Sequence, residues 1–230
     1  MTHTPFQLVR QLLARGNRVH ATTRAPSPGL DALASKPGPG ALTVRTCDVA
    51  SPASVNAWAA DLAADLAAEP LALVIHNAGV AKWADLESTT AEDMVDVFRV
   101  NTVGAVLTMQ ALLKVGAVGQ AGAPPAVAAF MTSKMGSVAD NGSGGSYVYR
   151  ASKAALNAVV KSLSIDLAPR GVTATLLHPG WVATDMTGNK GLIDVETSAS
   201  GLLGVLEAGA AGALDLRGTW HDYKQEAIPW

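Results

Sequence analysis

Along this chain of 230 residues, apolar positions switch repeatedly between a helical and a strand period. Phe6, Val9, Leu12 and Leu13 recur at helical spacing behind Thr4 as a cap and Pro5 at the first helical position, and Gly16 supplies a stop. Arg18–Thr23 reads as a short strand, so the chain opens like the second half of a βαβ unit. A Pro/Gly-rich turn over 25–40 and a strand over 42–46 follow. The pattern then predicts a helix over 54–68, a fully apolar strand over 71–75, and a helix from a capping box at 90–93 to about 115. A Gly/Pro-rich loop covers 116–125, and Ala126–Met131 is a second buried strand. A Gly/Ser-rich loop runs to Ser146, and a long amphipathic helix over 147–168 ends at Pro169-Arg-Gly171. A strand over 172–177 stops at His178-Pro-Gly180, and a helix over 195–208 and a short strand over 219–223 close the chain. Strands separated by crossover helices predict one α/β domain over residues 1–230, built on a doubly wound, mostly parallel, Rossmann-like sheet.

Composition narrows the function classes. Nearly half of the residues are hydrophobic (49%) and 16% are charged, which fits a chain that buries a large core. A net charge of −2 without a basic face gives no reason to expect nucleic acid. No apolar run reaches the ~18 residues of a membrane span, and no signal-peptide core opens the chain, so a cytoplasmic protein is expected. The single cysteine, Cys47, excludes an intrachain disulfide and reads as a small buried apolar group. None of the five histidines pairs at metal-ligand spacing, so no metal is expected; the five tryptophans read as core or substrate wall.

Chemistry concentrates at strand ends. Tyr149 alone among the three tyrosines has a lysine four residues on, Lys153, which puts phenol and ammonium on one helical face. A nearby cation favours the phenolate, which suits proton exchange with a substrate oxygen. Ser133 follows a buried strand directly and is preferred over Ser137, its rival deeper in the loop. Asn77 follows another strand, and Asn101 sits in a helical pattern where asparagine is a poor former unless its amide is needed.

These pieces, with Cys47-Asp-Val49, His76-Asn-Ala-Gly79, Val100-Asn-Thr102, Thr132-Ser133, Tyr149–Lys153, 178–186 and the tail 226–230, stand in family order. In them the chain resembles a short-chain dehydrogenase/reductase, nearest to the C-factor-like and sniffer-like carbonyl reductases. The resemblance implies that Tyr149 is the general acid in carbonyl reduction or the base in alcohol oxidation, with Lys153 lowering its pKa and binding the nicotinamide ribose. Ser133 would hold the substrate carbonyl, and Asn101 a water that links the lysine to solvent. Asp48 and Val49 would flank the adenine, and Asn77, Ala78 and Gly79 the adenosine side. Pro179, Gly180, Val182 and Thr184 would meet the nicotinamide amide and pyrophosphate. At Thr22-Thr-Arg24 no acidic group awaits a ribose 2′-hydroxyl, and Arg24 offers a planar donor to a 2′-phosphate, so NADP(H) is preferred and NAD(H) is the alternative. His76 stands where many members have asparagine. The implied partners are a small carbonyl or alcohol substrate and a second copy of the chain, as a homodimer or homotetramer.

One family feature is missing. A strand and a Thr-Gly-x-x-x-Gly-x-Gly turn, about 12–18 residues, should precede the helix that starts near Phe6. Without them, two neighbouring strands either show unpaired ladder groups or pair with each other, and the pyrophosphate loses backbone donors. The sequence leaves open a start downstream of the natural one, a truncated relative that binds dinucleotide weakly, and a non-catalytic signalling or scaffold protein on the same fold.

Overall fold

A computed structural model describes residues 4–66, 69–120, 122 and 125–230. Helix α1 (Thr4–Ala14) runs into strand β1 (Arg18–Thr23), and the predicted turn over 25–40 contains a short helix, α2 (Pro28–Ala34), that the Pro/Gly content hides. Strand β2 (Ala41–Thr46), helix α3 (Pro52–Leu66) and strand β3 (Leu73–His76) follow; the predicted end of α3 at residue 68 lies outside the described residues, as do parts of the 116–125 loop. The long helix predicted from residue 90 is interrupted: α4 (Ala91–Phe98) passes through a π-helical turn, Arg99–Val103, into α5 (Gly104–Lys114). Thr90 caps α4 by accepting the Asp93 N–H at 3.1 Å. Strand β4 (Ala126–Met131), helix α6 (Tyr147–Asp166), strand β5 (Val172–His178), helix α7 (Val195–Ala210) and strand β6 (Trp220–Asp222) complete the chain.

Period-2 alternation in β4 builds two cores. Ala126, Ala128 and Phe130 face α3, α5 and α6 with Leu62, Met109, Leu112, Leu156 and Val160, whereas Ala129 and Met131 face α1 and α7 with Leu8, Leu202, Leu203 and Leu206. Both faces of the strand are therefore covered, which its unbroken apolar run requires. Helix α3 buries the stripe Val55, Ala59, Leu62 and Leu66, and buried Cys47 packs beside Val55 and Ala59 as a small apolar group.

The sheet is split. β1 pairs only with β2, and β3 to β6 form a second parallel sheet in the order β3-β4-β5-β6. The two lie in one layer because helices straddle both: Asp65 of α3 meets Arg45 of β2 at 2.6 Å while Leu62 and Leu66 reach the β4 core. α1, which leads into β1, likewise sends Leu8 to the other sheet. Of the two outcomes expected for the missing strand, unpaired edges are the one realised. Leu73, Val74 and Ile75 are only half-buried on β3, where β4 and β5 are buried almost throughout.

Ladder alternation says which groups are unpaired. Val127 donates to Ala72 and Ala41 donates to Asn17, so Val74 and His76 turn toward β4 and Val19 and Ala21 toward β2. The amides of Leu73 and Ile75, and of His20 and Thr22, then face the open edges. Hydrogen-exchange NMR should find these four amides exchanging at least tenfold faster than their immediate strand neighbours; equal protection along β1 and β3 would show the edges to be covered.

Candidate active site

Beyond the end of β4, Ser133 caps a 3₁₀ turn, Lys134–Gly136, its hydroxyl accepting the Met135 N–H at 3.2 Å. The same hydroxyl lies near enough to the Tyr149 phenol to draw its pKa downward. Tyr149 and Lys153 share the buried face of α6 with Ser152, Leu156, Asn157 and Val160, and the Lys153 Nζ stands 5.8 Å from the centre of the Tyr149 ring. Lys153 is 4% exposed and donates to the Met131 carbonyl at 2.9 Å, its one acceptor among the described residues. Gly136 permits this approach: a Cβ there would lie 2.8 Å from the Lys153 carbonyl carbon. Three of the predicted catalytic groups thus meet at the carboxyl edge of the sheet, where open α/β folds bind ligands.

Ser137, the rival, is engaged elsewhere. It donates to the Trp230 carbonyl at 3.2 Å and accepts the Asp140 N–H at 3.0 Å, tying its loop to the end of the chain.

Asn101 lies in the π-helical turn, fully buried. Its Oδ1 accepts the Val80 N–H at 2.8 Å, and its amide donates to the Val80 carbonyl at 2.9 Å and to Ser152 Oγ at 3.0 Å. Both amide hydrogens are engaged, so the side chain pins the segment after β3 against α6, and the amide need read from sequence is met by backbone. On that segment, a Cβ at Gly79 would come within 3.4 Å of both Asn101 Oδ1 and Lys153 Nζ. Gly79 thus brings the backbone of this segment alongside the buried ammonium.

The other predicted residues occupy the same edge. Asn77 and Ala78 follow β3; Pro179 and Gly180 follow β5, with the Pro179 carbonyl accepting Ser198 Oγ at 2.7 Å. Val182 bridges to Ile193, and Thr184 opens the turn Asp185–Thr187. Arg24 and Asp48 end β1 and β2 on the other sheet, across the unpaired edges. Arg24 is exposed; the Asp48 carboxylate accepts the Ala50 N–H at 3.0 Å, and Val49 fits against Gly104.

Electrostatics depart from expectation in one respect. Burial pushes the Tyr149 phenol up from its ordinary value, with Ser133 opposing, and it outweighs any help from the lysine. Burial also brings Lys153 down to about 8. His76, 5% exposed and tilted against Phe130 at 5.9 Å, is held down to about 4 by burial and by the charge of Lys153.

Sequence reasoning passed over Arg150. Its guanidinium donates to the Met135, Gly144 and Gly145 carbonyls at 3.2, 3.3 and 3.2 Å and to Ser143 Oγ at 2.8 Å, stapling both loops that flank Tyr149. Ser152 and Asn157 were also missed, though both are polar positions on the apolar stripe of α6. Asn157 fixes the strand end by accepting the Thr132 hydroxyl at 2.7 Å.

The family model described as enoyl-(acyl carrier protein) reductase matches residues 6–200. C-signal of Myxococcus xanthus is 38% identical over 165 residues, covering 70% of this chain and 93% of that protein. The chain belongs to the short-chain dehydrogenase/reductase family. A second relative, the 1-hydroxy-2-glutathionyl-2-methyl-3-butene dehydrogenase of a Rhodococcus strain, is 38% identical over 202 residues, 84% of this chain and 81% of that one. The NADPH-bound carbonyl reductase from chicken fatty liver superposes with a TM-score of 0.87 at 31% identity, covering all of this chain and 95% of that structure. The carbonyl-reductase-like resemblance therefore extends over the whole fold, and that to C-signal over 70% of the chain.

His76 makes the family member's stability pH-dependent. Between about pH 4 and 6.5 the unfolded chain takes up a proton that folded His76 refuses, so unfolding free energy rises with pH across that window. Denaturant titrations at pH 4.5 and 7 should differ by roughly 2 kcal/mol from this group alone, and His76→Asn should remove that part of the difference.

Proposed function

We propose that this short-chain dehydrogenase/reductase is an NADP(H)-preferring oxidoreductase that reduces a small carbonyl compound or oxidises the corresponding alcohol. The reading rests on the convergence of the Ser133 hydroxyl, the Tyr149 phenol and the Lys153 ammonium at the carboxyl edge of the sheet, alongside Gly79. A buried ammonium with a single carbonyl acceptor suits a cofactor ribose, and exposed Arg24 suits a 2′-phosphate. Asp48 and Val49 are assigned to the adenine, Asn77 to Gly79 to the adenosine side, and Pro179, Gly180, Val182 and Thr184 to the nicotinamide and pyrophosphate.

Bound nicotinamide supplies or accepts the hydride. Ser133 orients the substrate oxygen and donates to the charge that grows on it. Tyr149, kept protonated by burial, gives its proton to that oxygen in reduction. Lys153, charged below about pH 8, holds the ribose and favours the phenolate left behind. Asn101 fixes the cleft wall through Val80, and a water at its remaining lone pair is its assigned part in returning a proton to Lys153. Exposed Met94, Val95 and Phe98 on α4 and Ile165 on α6 suit a homodimer or homotetramer.

A second reading is a dehydrogenase-like signalling or scaffold protein with no turnover. The unpaired edges of β1 and β3, which separate Arg24 from the catalytic group, favour it.

Titration with NADPH and NADH, read by nicotinamide fluorescence, should give saturable binding with NADPH the tighter. Tyr149→Phe should cut carbonyl-dependent NADPH oxidation by about 10²- to 10⁴-fold with binding retained. No binding at millimolar cofactor by a folded chain would support the second reading. For reduction, kcat/KM should be flat below and fall above about pH 8 as Lys153 loses its charge, and a profile flat to pH 10 would remove Lys153 from its assigned role.

A further inference from the structure

Trp83 sits on the segment after β3, three residues beyond the Val80 that Asn101 pins. Its indole lies 5.1 Å from the Tyr149 ring, centre to centre, tilted by 59°, within the range of attractive aromatic pairs. The two rings differ sharply in exposure: Tyr149 is 8% exposed and Trp83 51%. The indole packs against the phenol ring while about half of the tryptophan stays open to solvent. Other segments leaving the same sheet edge add Tyr147, Trp181, Met186 and Leu192, all exposed.

Charge at the mouth is already engaged. Lys82, which precedes Trp83, pairs with Asp93 at 3.4 Å, and Lys134, which follows Ser133, pairs with Asp140 at 3.4 Å. Arg150, next to Tyr149, donates to three carbonyls and a hydroxyl. The cations next in sequence to Trp83, Ser133 and Tyr149 therefore have partners.

We propose that Trp83 is a specificity-determining wall, selecting substrates whose carbonyl is attached to a flat, uncharged aromatic ring. This rests on the oxidoreductase reading of the site. The ring of such a substrate packs against the open part of the indole while its carbonyl oxygen reaches Ser133 and Tyr149. A saturated ring of the same size presents puckered C–H surface and loses the aromatic part of the contact.

The test compares acetophenone with cyclohexyl methyl ketone, which have the same number of heavy atoms and differ in the flatness of the ring. Each is measured as kcat/KM with NADPH and, without turnover, as a Kd from ligand-observed NMR. The unaltered chain should favour acetophenone by about tenfold in both. Trp83→Leu should abolish the preference, mainly through a higher KM for acetophenone with kcat little changed, and Trp83→Phe should restore most of it. No preference in Kd, or one that survives Trp83→Leu, overturns the wall. A binding preference lost in Trp83→Leu but without NADPH oxidation supports the wall and instead sinks the oxidoreductase reading.

Discussion

A lysine ammonium buried at the carboxyl end of a parallel sheet is the constraint around which the rest of this molecule is arranged. Lys153 enters the interior with one backbone acceptor, the carbonyl of Met131. Taking a full charge out of water is costly, and the surroundings answer in two ways. The charge is weakened, with Lys153 brought down to about 8, and its neighbours are kept neutral, the Tyr149 phenol by burial and His76 by burial and the ammonium itself. Glycine at 136 lets one turn close on the lysine backbone without a clash, and Gly79 lies in contact distance of the ammonium. The arrangement of Ser133, Tyr149 and Lys153 thus goes together with accommodating one cation.

Rigidity around that cation comes from side chains whose bonds are to the protein itself. Asn101 grips both polar groups of Val80, Asn157 holds Thr132, and Arg150 holds two loops. The π-helical turn gives Asn101 its reach, because an extra residue in the turn re-aims a side chain that a regular helix would leave elsewhere. The Asn101 and Asn157 bonds are buried or half-buried, so each is hard to exchange for water. By contrast, the edges of β1 and β3 lack any such ties. The layer is stiff where Ser133, Tyr149 and Lys153 meet and open where the adenosine end of a dinucleotide would cross.

How much of this the sequence showed depends on the range of the interaction. Apolar periodicity located β4, β5, α6 and α7 within a residue or two, since burial on both faces of a strand or one face of a helix leaves a local record. It missed α2, where Pro and Gly at a helix start look like a turn, and it ran α4 and α5 together, since a π-helical turn leaves the apolar pattern almost intact. Ser133, Tyr149 and Lys153 were legible because their order and spacing are local. Trp83 and Arg150 were not, since what distinguishes them is a neighbour many residues away or a set of loop carbonyls.

The sequence by itself determined the α/β class, the family and the side chains available for chemistry, all of which follow from residue type and spacing. Only the tertiary structure decided the state of those side chains. Spacing alone suggested a phenol made more acidic by its lysine, yet packing buries both, and desolvation outweighs the pairing. Likewise, motif order does not say whether β1 and β3 pair, and among the described residues they stay apart, with helices that reach both sheets. α1 and α3 hold them apart, because the apolar stripes of those helices are already committed to cores on both sides.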